Sequence, residues 1–184
     1  KKTVESESRT EETTETKPTV YFKIVYVFDV SQTEGKDLPE APITPTGSDQ
    51  GLLPFLEAVT DQHQIRLEYK PLTGSHHGTS YGGWIEVDAR LDPGGKTLVL
   101  LHELAHELLH RGPDRATFSR QQKELEAEAT AYVVARHFQL QTASAEYLAL
   151  WNVPEEDILG VIQRIHTTAS KLITSLEALR TVKE

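Results

Sequence analysis

The most chemically specific run in the 184-residue chain is His102-Glu103-Leu104-Ala105-His106. Two histidines four positions apart on a helix lie one turn apart on the same face, where both imidazoles can converge on one ion at about 2.0–2.1 Å. Glu103, beside that face, reaches the coordination position that protein ligands leave open. There it would take a proton from an attacking water and pass it to a leaving amine. The pattern points to Zn2+ and to hydrolysis of a peptide bond. The competing reading is two hydrogen-bonded or solvent-facing histidines on an ordinary helix.

A catalytic zinc takes three protein ligands. One class of such enzymes finds the third in a His six residues after the second, but here that position is Gly112. His110 continues the same helical face, yet three successive turns do not curl onto one ion. It reads as a helix-end residue near the C-terminal dipole. The following segment, KELEAEATAYVVA, offers Glu124, Glu126 and Glu128. Leu125, Glu128, Tyr132 and Ala135 form one helical stripe, which makes Glu128 the expected buried carboxylate and third ligand. Glu126 falls on the opposite, solvated side. Glu124, a turn before Glu128, is placed to orient a ligand histidine.

The elements that must position these residues are legible in outline. Val20–Val30 is dense in β-branched and aromatic residues and reads as a strand, followed by a Pro-rich surface connection over 31–49. Leu52, Leu53, Phe55, Leu56 and Val59 recur at helical spacing behind Asp49, the expected N-cap. Ile65, Leu67 and Tyr69 alternate with polar residues as a half-buried strand. Residues 71–83 are too rich in Gly and Ser for regular structure. Trp84–Leu91 alternates again, with a free edge suited to pairing with an extended peptide, and DPGG at 92–95 is expected as a turn. Thr97 is the expected cap of the apolar helix TLVLLHELAHELLHR, which stops at Gly112-Pro113. Ser119 and Gln122 open a helix to about Phe138, a short helix lies near 145–151, and an amphipathic helix capped at Asn152 runs nearly to the end. Strands first and helices later indicate a small α+β domain, with a short antiparallel or mixed sheet packed on the HExxH helix.

Composition sets the outer limits. There is no Cys, which excludes disulfides and Cys-ligated metal; any metal site must use the 8 His and the 28 Asp and Glu. With 19 Lys and Arg the formal charge is −9, which argues against broad binding to nucleic-acid backbones. No run approaches the length of a membrane span and no signal-like segment opens the chain, so the expected compartment is the cytoplasm. No Met is present, and a longer natural protein is expected. Residues 1–17 are nearly all Ser, Thr, Glu and Lys and read as a disordered tail or linker.

HELAHELLH followed by ELEAEATAYVVARHF resembles the ImmA/IrrE-type zinc metallopeptidases, and over Tyr21–Leu179 the similarity is greatest to the C-terminal domain of ArdC-like antirestriction proteins. The resemblance implies a zincin-like (gluzincin) fold over 50–184, with His102, His106 and Glu128 on zinc and Glu103 catalytic. It implies a protein or peptide substrate, in that group characteristically a transcriptional repressor or other DNA-binding protein. Residues 18–49, with YVFDVSQTEGKDLP at 26–39, are similar to the end of a preceding DNA-binding domain; most of that domain is absent, so direct nucleic-acid binding is not expected. The alternative is a non-catalytic, metal-stabilised antirestriction or interaction module, which needs the ligands but not Glu103.

Overall fold

The computed structural model describes residues 49–74, 76–112, 116–142 and 158–182. All of them belong to one compact unit, Glu40–Glu184. The expected tail at 1–17, the strand at 20–30, the connection up to residue 48, the short helix near 145–151 and the cap at Asn152 lie outside the described residues.

Among the described residues the order is α1 (Leu53–Gln62), β1 (Arg66–Lys70), β2 (Gly78–Ser80), β3 (Trp84–Asp88), α2 (Pro93–His110), α3 (Arg120–His137) and α4 (Ile158–Thr181). The fold is α+β with a small mixed sheet. Its strand order is β1-β3-β2, with β1 parallel to β3 (Arg66 opposite Trp84) and β2 antiparallel to it (Gly78 opposite Val87). Leu67, Tyr69, Ile85 and Val87 turn toward the core, as period-two alternation requires.

Two sequence expectations are corrected here. The Gly/Ser-rich segment contains β2, because Tyr81 N donates to Trp84 O at 2.8 Å and closes a hairpin that aligns this short stretch with β3. Pairing to a formed neighbour outweighs the poor strand propensity of Gly and Ser. In consequence, among the described residues, the strand at 84–88 is central and has no free edge; β1 and β2 are the edge strands, and β2 is the one that lies against α2 beside Glu103.

Helix α2 also begins earlier than expected. Asp92 accepts a hydrogen bond from Gly95 N at 2.6 Å as N-cap, and Pro93 occupies the first turn, where its missing N–H costs nothing. DPGG is therefore a helix start, not a turn. Thr97 lies inside the helix, fully buried, its hydroxyl donating to Pro93 O at 2.8 Å. The N-cap of α1 is Leu52; Asp49 instead makes a local turn through Gly51 N at 3.1 Å. Ser119 caps α3 as expected, accepting from Gln122 N at 3.1 Å.

Leu100, Leu101 and Leu104 of α2 are fully buried at the centre of the core, with Leu56 and Val59 from α1, Ile85 and Val87 from β3, Val134 from α3, and Leu172 and Leu176 from α4. Each such side chain contributes about 1.5–3 kcal/mol through its burial. The HExxH turn is thus held by a helix that lies at the centre of the core among the described residues. Helix α3 touches both α2 and α4. No helix among the described residues is long and apolar enough to cross a membrane.

Candidate metal centre

Helix α2 carries two polar stripes beside its leucines. His102 and His106 face α3, and Glu103 and Glu107 face β2. Each pair is separated by four residues, so each lies along one side of the helix.

On the histidine side, His102 Nε2 and His106 Nε2 stand 3.1 Å apart. Glu124 Oε2 lies 3.7 Å from the first and 3.6 Å from the second. Donors each about 2.0–2.2 Å from a shared tetrahedral ion stand about 3.3–3.6 Å from one another, so this trio fits a small divalent cation. Ligand atoms of all three residues fall within 4.8 Å of one another, and among the described residues no other His, Asp and Glu group does so.

Glu128, expected as the third ligand, is placed on the other nitrogen of His102, with Oε2 2.7 Å from Nδ1. An Nδ1–H donated to that carboxylate leaves the Nε2 lone pair directed at the cluster. The carboxylate that meets both Nε2 atoms is Glu124. The reading of Glu126 is corrected outright: it is fully buried, its Oε1 accepting from Arg164 Nε of α4 at 3.1 Å and from Nη2 as well. Because α3 is sandwiched, it has two buried faces, one toward α2 and one toward α4, and no single apolar stripe describes it. Glu124 and Glu128 belong to the first face, Glu126 to the second. His110 is buried too, its Nε2 3.7 Å from Glu126 Oε2, and burial pushes its imidazole down to about 4.

The electrostatics of the cluster call for a cation. Burial works against a charged His102, but Glu124 and Glu128 on its two nitrogens outweigh it and push the imidazole up to about 10. The same imidazoles hold Glu124 well below the ordinary carboxylate range. Glu124 and Glu128 thus favour positive charge at His102, which a divalent ion bound there would supply in place of a proton. Glu103 is raised by its own burial, while His102 and His106 pull it back. A carboxylate lifted toward neutrality is suited to taking and returning a proton.

Gly78 of β2 passes directly over Glu103. A Cβ built on it would meet Val99 Cγ1 at 2.5 Å and Glu103 Oε1 at 2.9 Å. Only the absence of a side chain lets the edge strand approach the glutamate this closely. Neither this contact nor the place of Glu124 was found from the sequence. The available signal for Glu124 was its separation of four from Glu128, which allows one carboxylate on each nitrogen of a single imidazole.

The family model described as the IrrE N-terminal-like domain of the M78 peptidases matches residues 60–178. The chain belongs to this family, so the triad sits in a metallopeptidase-like domain of the ImmA/IrrE type. It is also 29% identical over 189 residues to the uncharacterized protein pXO2-81 of Bacillus anthracis, an alignment covering 88% of this chain. The chain spans 32% of that relative's length. No solved structure matches it significantly.

Proposed function

We propose that the domain is a cytoplasmic zinc-dependent endopeptidase of zincin type that cleaves a protein partner of regulatory or DNA-binding character. The observation that carries this reading is the convergence of His102, His106 and Glu124 beside a buried Glu103. His102 and His106 supply neutral imidazoles, Glu124 the third donor, and Glu128 fixes the tautomer and direction of His102. Bound zinc supplies a Lewis acid that polarises the scissile carbonyl and acidifies a water.

The chain's own residues do the rest. Glu103 accepts the proton of the attacking water on its carboxylate and delivers it to the amine as the C–N bond breaks. The edge of β2, unpaired among the described residues, receives an extended peptide through main-chain hydrogen bonds. Gly78 keeps that strand close over Glu103, so a peptide paired there lies near the general base.

Metal analysis of the purified protein, joined to co-expression of wild type or Glu103→Gln with candidate repressors or restriction components, tests the reading. Glu103→Gln retains zinc and partner binding, and loses cleavage by about 10²–10⁴-fold, the usual worth of a general base. Equal biological effect of both versions with no partner shortened replaces this reading with the metal-stabilised antirestriction or interaction module.

A further inference from the structure

Glu107 lies one turn beyond Glu103 on the β2-facing side of α2, and it is 3% exposed. Its carboxylate accepts three hydrogen bonds from the last residue of β2 and the hairpin turn that follows it. Ser80 Oγ donates to Oε1 at 2.7 Å, Gly82 N to Oε1 at 2.6 Å and Gly83 N to Oε2 at 2.5 Å. Both glycines are in the left-handed region, with φ +81° and +115°, which turns successive N–H groups into one concave nest. A carboxylate is an acceptor only, so it satisfies all three donors at once.

The spacing of the two contacts on α2 matches that of the two contacts on β2. Glu103 and Glu107 are separated by about 6 Å along the helix axis. Gly78 and Ser80 are separated by about 6.6 Å along the strand. Gly78 rests on Glu103 and Ser80 is tied to Glu107, so the edge strand runs in register with the helix that carries the metal ligands.

We infer that Glu107 is a positioning residue: it locks the Ser80–Gly83 turn to α2 and thereby sets the height and register of the β2 edge over Glu103, where an extended peptide is presented. This inference rests on the peptidase reading above. Glu107 touches neither metal nor substrate. Its part is to hold the docking strand.

The zinc-loaded full chain is compared with Glu107→Gln and with the milder Ser80→Ala, which removes one donor and leaves the carboxylate with two. Two hydroxamates serve as probes: acetohydroxamate, which reads the metal alone, and a hydroxamate carried on an extended dipeptide, which reads metal and edge together. In Glu107→Gln the new NH₂ opposes a backbone N–H. Amide exchange at residues 78–83 should accelerate on the order of tenfold, as for a lost buried hydrogen bond. The dipeptide probe should weaken by a similar factor, while zinc content, acetohydroxamate affinity and exchange in α3 stay as in wild type. Ser80→Ala should show the same pattern, smaller.

Unchanged exchange at 78–83 means the clamp is not there. Faster exchange with undiminished dipeptide affinity means it is only structural, and equal weakening of both probes means that Glu107 acts on the metal centre. Each overturns the proposal. A wild type that binds both probes equally removes the docking edge, and with it the peptidase reading and this role together; that failure shows in the wild type alone, whereas failure of the clamp shows in the difference between wild type and variant.

Discussion

Glu128 Oε2 lies 2.7 Å from His102 Nδ1, the ring nitrogen not turned toward His106. A single imidazole is thus held between two carboxylates of one helix, Glu128 at Nδ1 and Glu124 at Nε2, because a separation of four residues returns α3 to the same side after one turn. The two contacts ask different things of the two glutamates. One fixes a tautomer, and the other shares the point to which both histidines turn.

Glu124→Gln should therefore remove most of the bound zinc, since it deletes a charged donor from the triad. Glu128→Gln should keep the site but lower its affinity by about 10–100-fold, the usual effect of losing a carboxylate behind a ligand histidine. Competitive zinc titration against a chromophoric chelator measures both. The reverse order would return the third-ligand role to Glu128.

Gly78→Ala places a methyl group 2.5 Å from Val99 Cγ1 and 2.9 Å from Glu103 Cγ. Either the strand lifts or the glutamate is displaced. Overpacking of this kind costs about 1–3 kcal/mol, so the melting temperature should fall while zinc affinity is kept, and activity should fall more than stability alone explains. A variant with unchanged melting temperature and unchanged activity would show that β2 does not lie this close.

Arg164→Met leaves Glu126 fully buried without its guanidinium partner. Removing one member of a buried pair costs about 3–5 kcal/mol, and because the Arg164 side chain is 34% exposed we expect about 2–3 kcal/mol here. Chemical denaturation reads the loss. The double variant with Glu126→Gln should recover part of it, since no uncompensated charge then remains.

Asp88 accepts from Arg90 Nε at 2.9 Å and Arg90 N at 3.0 Å at the end of β3, while Arg90 Nη2 reaches Leu72 O. Hydrogen bonds from the Arg90 side chain and then its backbone hold this carboxylate below the ordinary range. A depressed folded-state value stabilises the fold above the unfolded value of 3.8, and that contribution is lost as the pH falls below it. Asp88→Asn should therefore be less stable than wild type at pH 7, and the difference should shrink as the pH is lowered through the acid range. Urea unfolding of both proteins across that range checks the sign; a gap that widens toward acid would contradict it.

How much of this was legible in the sequence follows from the range of the interactions. The HExxH helix, the strand at β1, the cap at Ser119 and the long C-terminal helix rest on contacts within a few residues, and periodicity and capping chemistry report those. The same local reading identified His102, Glu103 and His106 as a unit. It misjudged α3, where burial on two opposite sides hides any single stripe, so that Glu126, assigned to solvent, is fully enclosed. Which glutamate meets both imidazoles depends on the rotation of α3 about its own axis, and packing against α2 and α4 sets that rotation. Likewise β2 exists because β3 and Glu107 receive it, and Gly78 matters because of what lies beneath it. Spacing along one helix determined the chemistry on offer; only the packing of separate elements decided which carboxylate faces which nitrogen and which strand edge lies over the site, since those relations join residues far apart in the chain.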